Sequence, residues 1–170
     1  NCSLLIAQNR LDVIVLDAGH GGKDPGTLSD FSGVQEKNIV LPITMKLGKI
    51  IEEKFPGIRI IYSRTTDEFI DLKVRTKVAN ENRAKLFISI HANSIVGANA
   101  YGTETFIMGL HKDNSNFEVA KRENSVILMD ENYKEKYEGF DPDSPESYIL
   151  FSLNQSAYQQ NSLKFAQKVE

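Results

Sequence analysis

An α/β fold, a single three-layer domain with a mostly parallel, twisted sheet flanked by helices, is predicted by two features of this chain. Short apolar runs rich in β-branched residues recur at Val13-Ile14-Val15-Leu16, at Ile58-Arg59-Ile60-Ile61-Tyr62 and at Leu86-Phe87-Ile88-Ser89-Ile90. Between them lie segments whose apolar residues keep helical spacing, and strands that alternate with helices form a parallel sheet. The length, 170 residues, suits one domain with its own core.

The first strand, Val13–Leu16, lies in a stretch that runs from Leu11 to Thr27 and breaks into Asp17-Ala18-Gly19-His20-Gly21-Gly22. Three glycines around one histidine make a loop able to bring its backbone close to a bound group. After the Ser32-Gly33 break, Ile39, Ile43, Leu47 and Ile50/Ile51 predict one apolar helix face, with Lys46, Lys49, Glu52 and Glu53 outward. Pro42 conflicts with a regular helix running from Glu36, because it removes the bond to Asn38. The expectation is a start near Asn38 or a bent first turn. Pro56-Gly57 closes this unit and the second strand follows. Leu72, Thr76, Ala79 and Arg83 mark a short amphipathic helix with Asp71 as its N-cap. The third strand, Leu86–Ile90, runs into His91-Ala92-Asn93-Ser94, and Gly102–Ile107 is expected as a fourth strand. Beyond His111, read as a surface residue, a helix is expected within Asn116–Leu128 and a last one from Glu146 to about Val169. Between them Asp141-Pro142-Asp143-Ser144-Pro145 is rigid turn chemistry.

Composition narrows the function classes. A net charge of −3 gives no basic field for nucleic acid or acidic lipid. The one cysteine excludes an internal disulfide. No run approaches the roughly 20 apolar residues of a membrane span. Residues 1–10 read either as the remnant of a secretory signal or as an N-terminal extension, and residues 11–170 as the domain itself.

Two of the three histidines, His20 and His91, sit at the C-terminal ends of apolar strands. If those strands are neighbours, both imidazoles emerge at one sheet edge, where α/β folds place their sites. Glu36, at the start of the helix after the first strand, can reach the same point. Two imidazoles and a carboxylate are a familiar catalytic zinc set with a fourth position left for water. Two other readings stay open at this level. The glycine turn can cradle phosphate, although it matches neither common phosphate motif. The histidines can also be isolated strand-end residues, with Glu36 a surface charge.

Four separated strings, VIVLDAGHGGKDPGT, VQEKNIVL, SRTTDEFIDLKVRTKVAN and LFISIHANS followed by GTETFI, occur in this order. Together they resemble the zinc-dependent N-acetylmuramoyl-L-alanine amidases of the type-3 group, the cell-separation amidases of bacteria. The likeness runs from Val13 to about Ile107 and weakens in the final helix. It implies zinc held by His20, Glu36 and His91. It implies hydrolysis of the amide joining N-acetylmuramic acid to the L-alanine of the peptidoglycan stem peptide, in a periplasmic or secreted protein of the cell envelope. Within the matched strings, Arg64 and Arg75 either bind acidic groups of the stem peptide or, the favoured reading, tie loops to carboxylates such as Asp67 or Asp71. Asn93 either lines the groove or forms a turn, and Glu104 is either a partner for a zinc-bound imidazole or a strand-surface charge.

The likeness also implies a further glutamate, acting as general base, on a strand after the last helix. No such strand lies within these residues, so the final family strand is expected to be absent and this stretch by itself inactive. A segment at about 113–145 is longer than a connection needs. Cell-separation amidases often carry a helical insertion here that covers the groove until a protein activator displaces it; the other reading is a solvated helical excursion that touches nothing catalytic. The carboxylates expected to approach the zinc in that way are Glu131, Glu135, Glu138 and Glu146, with Asp130 beside them, on a segment whose apolar face is Val126 to Met129. Two rival functions follow from the same residues. One is a non-catalytic peptidoglycan-binding or regulatory domain that keeps the fold and metal. The other is a zinc carboxypeptidase-like hydrolase.

Overall fold

The computed structural model describes residues 10–29, 32–93, 101–107, 119, 121–130, 132–137, 141, 144 and 159–170. The chain divides into two compact units, residues 1–98 and 99–170.

In the first unit the apolar runs form strands β1 (Val13–Ala18), β2 (Arg59–Tyr62) and β3 (Leu86–Ile90). Helix α1 (Glu36–Lys54) joins β1 to β2, and helix α2 (Leu72–Glu81) joins β2 to β3. The sheet order is β2-β1-β3, and both pairings are parallel. β1 is central and carries the core: Ile14, Val15, Leu16 and Ala18 are all buried. That explains its unbroken apolar run, because a strand covered on both faces has no solvent side to mark with polar residues.

Alternation along β1 assigns the layers. Tyr62 pairs with Leu16, and its hydroxyl lies against Gly48 of α1. Asp17 pairs with Ser89 and is bonded to Arg75 of α2. The two helices therefore cover opposite faces, as right-handed crossovers that run in opposite directions require. Between β1 and β3 the strand order reverses, and the crevice above such a reversal is where open α/β sheets bind ligands.

Helix α1 departs from expectation in its start, which is not near Asn38, and in its buried face. It begins at Glu36 and continues through Pro42. Its buried stripe is Glu36, Val40, Thr44 and Gly48, whereas Ile39, Ile43 and Ile50 are exposed. Residues four apart stack along one face, so drawing Glu36 inward carries Val40, Thr44 and Gly48 with it. Leu47 and Ile51 sit half-buried at the margin, and Lys46, Lys49, Glu52 and Glu53 face outward as expected. After α1 a turn through Pro56-Gly57 closes with the Ile58 N–H donating to the Phe55 carbonyl at 2.9 Å. In α2 the Asp71 side chain accepts the Lys73 N–H at 2.9 Å, the expected N-cap. The buried residue of that helix is Arg75; Thr76 is exposed, and Arg83 lies beyond the helix end at φ 52°.

In the second unit residues 121–124 are helical and tighten into a 3-10 turn over Ser125–Met129. Val126 and Ile127 are buried there, while Leu128 and Met129 are exposed. Helices α3 (Tyr133–Lys136) and α4 (Gln159–Val169) follow. The Ser144 N–H donates to the Asp141 carbonyl at 3.1 Å, in line with the turn expected there. Gly102–Ile107 is not a strand, contrary to expectation. A strand needs a ladder partner, and the Thr105 N–H instead reaches Oε1 of Glu170 at 3.3 Å. Glu104 is exposed in this segment. Of the insertion carboxylates, Asp130 is bonded to Lys136 at 2.6 Å and Glu135 is exposed on α3. Glu131, Glu138, Glu146, His111 and residues 146–158, where the last helix is expected to begin, lie outside the described residues.

Candidate metal centre

His20, Glu36 and His91 meet at the C-terminal ends of β1 and β3. His20 leaves the end of β1 in the left-handed region, at φ 60°. A non-glycine residue held there costs on the order of 1–3 kcal/mol and marks sites where the surroundings dictate the backbone. Glu36 is placed by reciprocal bonds with the same loop. Its N–H donates to the Thr27 carbonyl at 2.8 Å, and its Oε2 accepts the Thr27 N–H at 2.9 Å. His91 follows β3 directly, and the next N–H, that of Ala92, donates to Oε1 of Glu36 at 2.7 Å.

One donor atom from each residue converges. Nε2 of His20 is 3.1 Å from Oε1 of Glu36, Nδ1 of His91 is 3.2 Å from the same oxygen, and the two nitrogens are 3.1 Å apart. Three ligands of a tetrahedral ion with bonds of about 2.0–2.1 Å stand about 3.3–3.4 Å from each other, so this triangle fits a zinc-sized cation. The chemistry of the set fits too. Burial alone would raise the Glu36 carboxyl, but its hydrogen bonding with the His20 and His91 rings and the N–H groups of Ala92 and Thr27 holds it well below the usual carboxylate range. It is thus an anion facing two imidazoles. Side-chain exposure rises from 1% at Glu36 and 9% at His20 to 27% at His91, so the triangle is closed beneath and accessible on the His91 side.

Two glycines admit this packing. A Cβ at Gly19 would stand 2.5–2.8 Å from three atoms of the His91 ring, so the imidazole lies directly on the Gly19 backbone. A Cβ at Gly26, whose φ is +66°, would meet the His20 ring and Cβ of Glu36 at 2.6–2.8 Å. These close approaches account for the glycine density of the loop.

Several residues that sequence reasoning did not single out support the three. Asp24 lies beside His20, its Oδ2 2.9 Å from Nδ1. Burial would raise this carboxyl, but the His20 bond and the Gly26 N–H lower it, so Asp24 accepts and Nδ1 donates. The signal was present as a carboxylate four residues after the histidine in a glycine turn. Asp17, buried on β1, takes Arg75 on Oδ1 and Ser89 on Oδ2, both at 2.6 Å. Lys37 bridges the Gly22 carbonyl and Asp67, each at 2.8 Å, and Asp67 also accepts the Gly22 N–H at 2.8 Å.

The arginines are buried ties, but not to the carboxylates expected. Arg75 pairs with Asp17, while Asp71 caps α2 and Asp67 belongs to Lys37. Arg64 donates to the carbonyls of Ala18 at 2.9 Å and Gly19 at 2.8 Å. Both guanidiniums thus face the loop backbone behind His20. Asn93 is exposed two residues past His91.

The Amidase_3 family, described as N-acetylmuramoyl-L-alanine amidase, matches residues 14–170. The chain is 31% identical over 167 residues to the N-acetylmuramoyl-L-alanine amidase AmiC of Escherichia coli O6:H1, covering 95% of this chain and 37% of that protein. It is 40% identical over 94 residues to the sporulation-specific N-acetylmuramoyl-L-alanine amidase of Bacillus subtilis, covering 55% and 35%. Among solved structures, an N-acetylmuramoyl-L-alanine amidase from Clostridium difficile 630 superposes with a TM-score of 0.54 at 34% identity, covering 71% of this chain and 64% of that one. The catalytic domain of CwlV, an amidase from Bacillus (Paenibacillus) polymyxa var. colistinus, gives a TM-score of 0.53 at 34% identity, with 65% and 60% covered. The chain spans 23–37% of the length of the curated relatives it matches first.

Proposed function

Because the chain belongs to the N-acetylmuramoyl-L-alanine amidase family, we propose that it carries the zinc centre of an enzyme that hydrolyses the amide between N-acetylmuramic acid and L-alanine in peptidoglycan. The observation that carries the reading is the triangle of His20 Nε2, Glu36 Oε1 and His91 Nδ1 at the switch point of the sheet. Zinc in a three-ligand site lowers the pKa of its water toward about 7 and polarises a carbonyl oxygen. The chain's own residues hold and orient the ion. Glu36 supplies the charge, with both carboxylate oxygens fixed by main-chain N–H groups. Asp24 keeps the hydrogen of His20 on Nδ1 and leaves Nε2 to ligate. The accessible side of His91 is where the scissile amide approaches.

The substrate places the protein in the cell envelope, periplasmic or secreted, with a role in daughter-cell separation. No helix among the described residues is long and apolar enough to cross a membrane. The segment at about 113–145 belongs to the same proposal as a self-inhibitory cover released by a protein activator. Removing Asn124 to Asp143 from a full-length enzyme should raise basal hydrolysis and remove any need for an activator. Unchanged activity with the fold intact by circular dichroism rules the cover out.

The central test joins metal and product. The chain should bind one zinc, and His20→Ala and His91→Ala should lose it; undiminished zinc in both sinks the assignment. Mass analysis of peptidoglycan digested by a full-length enzyme that carries the further glutamate should show free stem peptides beginning with L-alanine. Shortened stems would mean a carboxypeptidase-like enzyme, and intact material a binding domain.

A further inference from the structure

We propose that Asp17, Arg75 and Ser89 form a positioning network for the metal centre, setting the direction in which His20 leaves β1 and its spacing from His91. The inference rests on the zinc reading above and deepens it.

The Arg75 guanidinium joins the parts. Nη1 donates to Oδ1 of Asp17 at 2.6 Å and to the Ala18 carbonyl at 2.8 Å, Nη2 to the His20 carbonyl at 2.7 Å, and Nε to the Ile70 carbonyl at 2.8 Å. It is 4% exposed. The bond to the His20 carbonyl has a consequence for the ligand itself. His20 sits at φ 60°, a region that side-chain-bearing residues rarely adopt. Relaxing it toward negative φ rotates the peptide and swings that carbonyl off Nη2. The guanidinium and the backbone state of a zinc ligand are therefore coupled. Asp17 extends the coupling across the sheet. Its Oδ2 accepts the Ser89 hydroxyl at 2.6 Å, and Ser89 stands opposite Asp17 in register, two residues before His91. One carboxylate thus links Ser89, two residues before His91, to the guanidinium that holds the His20 carbonyl.

Charge alone does not explain the choice of arginine. A lysine would neutralise Asp17, but it is a point charge on a flexible stem. Only the planar fork, with five donors in fixed directions, spans a carboxylate and the carbonyls of Ala18 and His20 at once. This difference separates positioning from mere neutralisation.

The test uses Arg75→Lys and Ser89→Ala in the full chain, with His20→Ala as control. Zinc affinity is measured by competition with a chromophoric chelator, ligand geometry by the visible spectrum of the cobalt-loaded protein, and folding by circular dichroism of the metal-free protein. Arg75→Lys should stay folded, bind zinc about 10–100-fold more weakly, the scale for loss of support behind metal ligands, and show a shifted cobalt band. Ser89→Ala should move both readouts in the same direction by a smaller factor. Wild-type affinity and an unchanged cobalt spectrum in both variants overturn the network while leaving the zinc reading intact, provided His20→Ala loses zinc. If Arg75→Lys does not fold, Ser89→Ala decides on the same terms. A wild-type chain that takes up no zinc overturns both.

Discussion

Nδ1 of His20 lies 2.9 Å from Oδ2 of Asp24, and that contact determines which nitrogen of His20 faces the metal position. Because the Asp24 carboxyl is held below its ordinary range, it remains an anion and the hydrogen stays on Nδ1. Asp24→Ala should therefore free the tautomer and the ring. We expect zinc affinity to fall by about 10–100-fold, with little change in the far-ultraviolet circular dichroism. Zinc competition titration checks this, and an affinity equal to wild type would contradict the assigned role.

Gly19→Ala tests the packing of His91. The added Cβ would overlap the imidazole, so either the ring or the end of β1 must move. Overpacking of this kind costs about 1–3 kcal/mol. The effect on metal should exceed the effect on stability, because the displaced group is itself a ligand. Parallel zinc titration and thermal unfolding, the latter without metal, should show weak binding in a protein that still unfolds cooperatively.

The Asp17–Arg75 pair predicts a pH dependence. Burial would raise the Asp17 carboxyl, but the Arg75 charge and the Ser89 hydrogen bond bring it below its ordinary value. A carboxyl depressed on folding contributes stability that is complete above its unfolded pKa, about 3.9, and is lost as pH falls through the folded value. Asp17→Asn removes this dependence and leaves Arg75 buried without its charge partner, a loss of about 3–5 kcal/mol at pH 7. The gap between wild type and Asp17→Asn, followed by urea unfolding of the metal-free proteins, should narrow as pH drops below about 4. A constant gap from pH 7 to pH 3 would show that the pair is not the source.

Pro42 sits inside α1, where it supplies no N–H for the Asn38 carbonyl. It is exposed, so no packing offsets the missing bond. Pro42→Ala should raise stability by about 1 kcal/mol or more, within the roughly 3 kcal/mol that separates the two residues in a helix interior. A lower denaturation midpoint in that variant would show that Pro42 has a structural use that its exposure does not reveal.

The sequence by itself determined the three strands of the sheet, the two helices that join them and the two histidines. β-branched runs have few alternatives in a buried parallel sheet, and a histidine directly after such a run must lie at the sheet's carboxyl edge. Local chemistry was equally legible in the Asp71 cap and the Pro56-Gly57 turn, because those bonds close within a few residues. Only the tertiary structure decided the face of α1 that is buried. Ile39-Ile43-Leu47 and Glu36-Val40-Thr44-Gly48 share one period, and the choice between them depends on where the sheet and the other ligands stand. Tertiary structure also decided that Arg64 and Arg75 reach the end of β1 and its loop, where their acceptors among residues 17–20 lie 45 to 58 residues away along the chain. It refused Gly102–Ile107 the status of a strand, since strand propensity becomes a strand only where a ladder partner is present. Periodicity and motif report what a segment prefers; which preference is realised is set by the groups that close around it.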